Sequence, residues 1–266
     1  MCLQHTGSVS GRTETLYFRR IKEKLPNNIE TILIDLDGVL VPEGSDDALR
    51  ATSELVPPSL EIDAETFREV ARNHIQELWS NSPFLPYAKS LGISSTEALC
   101  LQQYNGDNEQ MRSFYEWTKQ YQQEVWQNVL ANFNITNPEL TTAFVNKFQR
   151  EKRVSYKAYS GVHEVLTKLK ERYKLCIITN GAPDLQRLKI AEANLGQYFG
   201  DNIIVSGEVG IGKPDPQIFQ MALEKLGTTA QTAVMIGDNL ESDIQGAERA
   251  NIVGITISRP KMSKKP

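Results

Sequence analysis

The chain has 266 residues, 40% apolar and 23% charged, a composition that suits a globular protein of one or two domains and excludes a disordered or fibrous chain. Lys plus Arg number 29 against 33 Asp plus Glu, and the net charge of −4 gives no electrostatic basis for a nucleic-acid or membrane partner. Three cysteines, at 2, 100 and 176, form no metal or disulfide pattern and suit a reducing cytoplasm; no apolar run is long enough for a bilayer, and the N-terminus lacks the apolar stretch of a secretory leader.

Residues 1–28 read as an N-terminal extension, a small polar tail followed by a short helix over 13–25 that stops at Pro26. TILIDL at 31–36 is a short apolar run ending in Asp37-Gly38, the pattern of a buried strand, and Pro42 to Ser45 break it. From 44 to 153 the pattern is helical throughout. Phe67, Val70, Ala71, His74, Ile75, Leu78 and Trp79 mark one face of a helix, a second covers 109–132, and a third opens at the capping pair Asn137-Pro138. Over 154–260 the pattern alternates. Strands at 175–178, 203–205, 233–236 and 253–257 are separated by helices at 161–172, 184–195, 215–226 and 240–250. Residues 261–266 are a lysine-rich tail. Apolar strands alternating with helices make a parallel sheet covered on both faces. The predicted fold is therefore α/β: a Rossmann-like parallel sheet core, 29–43 and 154–260, with an all-helical domain, 44–153, inserted after the first strand.

Several features read more simply than they first look. Cys176, in an apolar run, is a small core residue. His74 lies on a helix's apolar face and suits packing. Residues 79–133 hold ten of the 21 aromatic rings, which suit the core of the helical insert; Trp79, Phe84, Tyr87 or Trp117 could alternatively line an apolar pocket. Gly207, Gly212 and Lys213 fit the start of a phosphate-binding P-loop, but Pro214 replaces the hydroxyl residue that such a loop needs.

In open α/β sheets ligands bind beyond the carboxyl ends of the strands. Asp35 and Asp37 end the first strand and Thr179-Asn180-Gly181 the second. Lys213 follows the third, and Asp238, with Asp243 five residues on, ends the fourth. Charges placed directly after buried strands are costly unless paired, so three carboxylates converging with one lysine suggest a hard cation and an anionic substrate. Mg²⁺ takes oxygen ligands and keeps several waters, so two carboxylates and a backbone carbonyl suffice. A carboxylate attacks phosphorus only when the phosphate charge is neutralised, which Mg²⁺ and Lys213 can do, while the Thr179 hydroxyl and nearby N–H groups can hold the equatorial oxygens. If the chain leaves strand geometry at Leu36, Asp35 and Asp37 face one site, one to attack and the other to act as acid and base.

The ordered set DLDGVL (35–40), ITNG (178–181), GKPDPQIF (212–219) and GDNLESD (237–243) resembles the haloacid dehalogenase (HAD) superfamily over 29–43 and 154–258. The insertion point is similar to that of its C1-cap phosphatases. The resemblance implies Asp35 as nucleophile forming an aspartyl-phosphate, and Asp37 as the acid that protonates the leaving group and then activates water. It implies phosphate contacts from Thr179 and Asn180, charge balance from Lys213, and Mg²⁺ held by Asp35, the Asp37 carbonyl and Asp238, with Asp243 in support. Dehalogenase members usually lack the second acidic residue of the first motif, so Asp37 favours phosphate esters, whereas Val39 stands where many phosphatases have Thr. The expected activity is Mg²⁺-dependent hydrolysis of a small phosphorylated metabolite. A phosphomutase and a non-catalytic binding protein on the same fold remain as alternatives.

Overall fold

The computed structural model describes residues 28–58 and 61–257; the helix expected over 13–25 and the tail 261–266 lie outside them. Five strands form one parallel sheet in the order β3-β2-β1-β4-β5. They are β1 (Thr31–Ile34), β2 (Lys174–Thr179), β3 (Ile203–Val205), β4 (Ala233–Gly237) and β5 (Val253–Thr256). β1 is central, with Leu33 in register with Cys176 on one side and Met235 on the other. Its side chains are buried on both faces, as expected of a parallel sheet covered by helices. Ile32 and Ile34 join Val162, Leu166 and Ile190 in one layer, while Leu33 and Cys176 join Ile218, Phe219 and Ala222 in the other. From β1 the chain builds outward to β3, then crosses to β4 and β5. The sheet's switch point thus lies between the carboxyl ends of β1 and β4, where such sheets bind ligands.

Among the described residues, six helices form the insert that follows β1: α1 (Ser45–Ser53), α2 (Ala64–Ser80), α3 (Leu85–Ser90), α4 (Ser95–Ala98), α5 (Glu109–Asn132) and α6 (Pro138–Val154). Asn137 caps α6 by accepting the Leu140 N–H at 3.0 Å. The aromatic residues form the core of this layer. Phe144 lies 5.4 Å from Phe67 and 5.5 Å from Trp126, and Trp117 stacks on Tyr121 at 5.0 Å, between ring centroids. His74 is half-buried at the flank of α2 and faces Glu77. Gln122 is buried and donates to the carbonyls of Ala98 and Leu101, so α5 holds the loop that ends α4.

After the insert come α7 (Val162–Lys170), α8 (Pro183–Glu192), α9 (Gly196–Phe199), α10 (Ser206–Val209), α11 (Pro216–Leu226) and α12 (Gly246–Arg249). Asp215 caps α11 by accepting the Gln217 N–H, and Gly227 ends it in the left-handed conformation. The helix expected over 240–250 instead begins as a π-helical turn, Leu240–Gln245, before α12. The Asn239 carbonyl accepts from both Asp243 and Ile244, and this wide turn directs the Asp243 carboxyl back under the strand ends. The insert rests on α8 and α10: Ala182, which caps α8, and Leu185 belong to its apolar cluster, Tyr115 donates to Asp184 of α8, and Ser206 Oγ at the start of α10 donates to the Leu91 carbonyl at 2.6 Å.

Candidate active site

A cavity of about 450 Å³ opens at the carboxyl ends of β1, β2 and β4 beneath the helical insert. Asp35, Asp37, Thr179, Asn180, Lys213 and Asp238 all line it, while Asp243 lies behind the wall. The chain leaves strand geometry just after Asp35, whose N–H still donates to the Ile236 carbonyl. A tight loop follows, in which the Leu36 carbonyl accepts from both Leu40 and Val41 and the Val41 carbonyl accepts from Gly38. Gly38 takes a φ of +75°, and a Cβ there would lie 2.0 Å from an Asp238 carboxylate oxygen, so only glycine lets β1 and β4 bring their acids together.

Lys213 organises the floor. Its buried ammonium donates to Asp35 Oδ1 and Asp243 Oδ1, both at 2.7 Å. Burial favours its neutral form, but the two carboxylates outweigh this and raise its pKa. Asp35 moves the other way from a usual carboxyl: burial, reinforced by Asp243 and opposed by Lys213, pushes it up to about 7. The Asp238 carboxyl is also raised, by desolvation and by Asp243. Asp243 is engaged by protein donors at both oxygens, with Oδ1 accepting from Lys213 and from the Ser242 hydroxyl and Oδ2 accepting the Asn239 N–H at 3.0 Å.

Asn180 reads its neighbour's backbone: its Nδ2 donates to the Lys213 carbonyl and its Oδ1 accepts the Lys213 N–H, both at 2.8 Å. This amide clamp fixes the loop that delivers Lys213. Thr179 Oγ1 accepts from the Gln186 side chain at the cavity wall. The Asp37 carboxylate is gripped from α8, by Lys189 Nζ at 3.0 and 2.8 Å and by Gln186 Nε2 at 3.0 Å.

Sequence reasoning missed Gln186 and Lys189. They sit three apart on the helix that follows Thr179-Asn180-Gly181, so they share its face, and that spacing was a usable signal. It also missed two residues around the helical insert. Glu97, in α4, reaches the core and accepts the Ala182 N–H at 2.7 Å; burial pushes its carboxyl up to about 7. Lys152, in α6, donates to Glu43 Oε1 and Ser45 Oγ at 2.7 Å, tying the two crossings between insert and sheet. Glu97 and Lys152 lie far from the motifs in sequence and have no local signal.

The acids fit a hard divalent cation. Oxygens of Asp35, Asp238 and Asp243 lie within 4.8 Å of one another, and the donors are carboxylates with no sulfur or imidazole among them. Asp243 is wholly buried and does not line the cavity, so Asp35 and Asp238 are the pair of this cluster that faces it.

The haloacid dehalogenase-like hydrolase model matches residues 29–251. The chain belongs to this family of hydrolases. Among curated proteins it is 32% identical over 232 residues to a phosphoserine phosphatase of Thermus thermophilus, covering 87% of this chain and 89% of that one. It is 35% identical over 125 residues to a glyceraldehyde 3-phosphate phosphatase of Methanopyrus kandleri, about half of each chain (47% and 53%). A magnesium-bound HAD hydrolase of Bacillus subtilis shares the fold with a TM-score of 0.56 and 18% identity, over 90% of this chain and 91% of that one.

Proposed function

We propose that the chain is a Mg²⁺-dependent phosphomonoester hydrolase that works through an aspartyl-phosphate on Asp35 and acts on a small, polar phosphorylated metabolite. The observation that carries this reading is Lys213, a buried ammonium pinned between Asp35 and Asp243 beside a second acid pair, Asp37 and Asp238. Bound Mg²⁺ would neutralise phosphate charge as a Lewis acid, held by Asp35, Asp238 and the Asp37 carbonyl. An Asp35 oxygen attacks phosphorus, and the bond from phosphorus to the ester oxygen breaks. Asp37 gives that oxygen its proton. Asp37 then takes a proton from water, whose oxygen attacks phosphorus, and the bond to Asp35 breaks to release phosphate. Lys213 holds Asp35 in place and offsets the added charge. Thr179, which lines the cavity at the end of β2, would contact the phosphate, while Asn180 would serve it by holding Lys213.

The cavity wall supports a small, hydrophilic leaving group. Among the described residues lining it, only Pro214 and two glycines lack a polar side chain. Trp79, Phe84, Tyr87 and Trp117 do not line it. No described helix is long and apolar enough to cross a membrane. Cys100 and Cys176 are free and buried, which suits a reducing cytoplasm.

Phosphate release from phosphoserine, glyceraldehyde 3-phosphate, a pyrimidine nucleotide and an aryl phosphate, with Mg²⁺ or with chelator, tests the reading. Mg²⁺-dependent release without added bisphosphate, faster from the three-carbon esters than from the nucleotide, is expected. Asp35→Asn should abolish it while leaving the fold intact. Turnover that persists in chelator, or in Asp35→Asn, would contradict the reading, and a bisphosphate requirement would indicate a mutase.

A further inference from the structure

Two buried lysines lie outside the four motifs: Lys152, which ties the crossings between insert and sheet, and Lys189. Lys189 is 4% exposed on α8, outside every motif, yet its ammonium meets both oxygens of Asp37, at 3.0 and 2.8 Å. Gln186, wholly buried one turn earlier, donates to the same carboxylate at 3.0 Å. Two donors from one rigid helix therefore set the rotation of the Asp37 side chain, while that carboxylate still borders the cavity. Burying a lysine is costly unless it is well paired. A surface ion pair would not need this arrangement. Here the helical insert closes over it: Glu97 lines the same cavity, is anchored to the Ala182 N–H at the start of α8, and the Lys189 ammonium lies 5.8 Å from the centre of the Tyr156 ring.

We propose that Lys189, with Gln186, is a positioning residue that aims the Asp37 carboxyl at the leaving-group oxygen and later at the attacking water. The proposal rests on the phosphatase reading above. It assigns Lys189 a role in proton transfer apart from phosphate and metal, whereas Gln186 also donates to Thr179 Oγ1.

Leaving-group dependence separates this role from a structural one. An alkyl phosphate needs a proton on its departing oxygen, whereas p-nitrophenolate departs without one. Wild type, Lys189→Met, Lys189→Arg and Gln186→Leu are compared by rapid-quench single turnover on both esters with Mg²⁺. In Lys189→Met the first turnover on the alkyl phosphate should fall by about 10²-fold or more, the scale of lost general-acid help. On p-nitrophenyl phosphate a fast release of nitrophenolate equal to the enzyme should survive, followed by slow turnover, because water activation also uses Asp37. Lys189→Arg should recover part of the loss, and Gln186→Leu, which keeps the ion pair, should show the same selectivity more weakly. An equal fall on both esters in every folded variant, or no fall in any, would overturn the positioning role. Should Lys189→Met not fold, selective loss in Gln186→Leu and Lys189→Arg supports the role, and its absence there overturns it. A folded wild type that hydrolyses neither ester would overturn the phosphatase reading itself.

Discussion

At Lys213 one ammonium, 2.7 Å from Asp35 and from Asp243, keeps two buried carboxylates from repelling each other. Lys213→Met removes that charge and should lower kcat by about 10²–10³-fold, the scale of losing one electrostatic stabiliser, with the folded state checked by circular dichroism. Glu97 offers a pH test. Its carboxyl is raised from 4.5 to about 7 by burial, so the folded state binds a proton that the unfolded state has lost. That contribution is complete below the unfolded value and is lost as pH rises through the folded one. Glu97→Gln, which can still accept the Ala182 N–H, should therefore gain stability relative to wild type between pH 5 and 8, by about 1–3 kcal/mol. Thermal unfolding across that range would show the gap widening with pH; a constant gap would contradict the assigned cause. Asp35, Asp37 and Asp238 were legible in sequence because each closes an apolar run, where a charge has no packing reason to be. Glu97 and Lys152 were not legible, because their meaning comes from contact with Ala182 and Glu43, set by tertiary docking alone.

Among the elements, helix ends with local chemistry were legible and short helices were not. Asn137-Pro138 and Asp215-Pro216 through Gly227 carry their own start and stop signals, and the structure places α6 and α11 there. α3 and α4 span too few residues to show a hydrophobic period, so they emerge only from packing and from the grip of Gln122. The π-helical turn was also invisible, since its cause is the fit of Asp243 beneath Gly237 rather than any local preference. The crossings between insert and sheet are tightly built. Gly44 has a φ of +75°, and a Cβ there would lie 2.2 Å from Ser155 Oγ. Gly44→Ala should destabilise the protein by about 1–3 kcal/mol, read as a lowered denaturation midpoint. In the core of the insert, Phe144 is wholly buried against Phe67 and Trp126, and Phe144→Ala should cost about 3–5 kcal/mol.

Over the whole molecule, the sheet supplies chemistry and the insert supplies enclosure. β1 and β4 meet at the switch point and deliver Asp35, Asp37 and Asp238 to one spot, while the insert brings Glu97 and Lys152 to the same cavity. The α/β class and the position of the insert were readable from periodicity, because strand and helix patterns alternate cleanly after residue 154. How the insert docks was not, because its contacts with α8 join residues far apart in sequence. The central claim is that phosphate passes through Asp35. The most direct test is acid quench of the Mg²⁺-loaded enzyme during turnover of a good ester, followed by mass analysis of the peptide that carries residue 35. The account predicts a phosphoryl group on Asp35, longer-lived in Asp37→Asn and missing in Asp35→Asn. A phosphoryl group on another residue, or brisk hydrolysis that persists in Asp35→Asn, would contradict it.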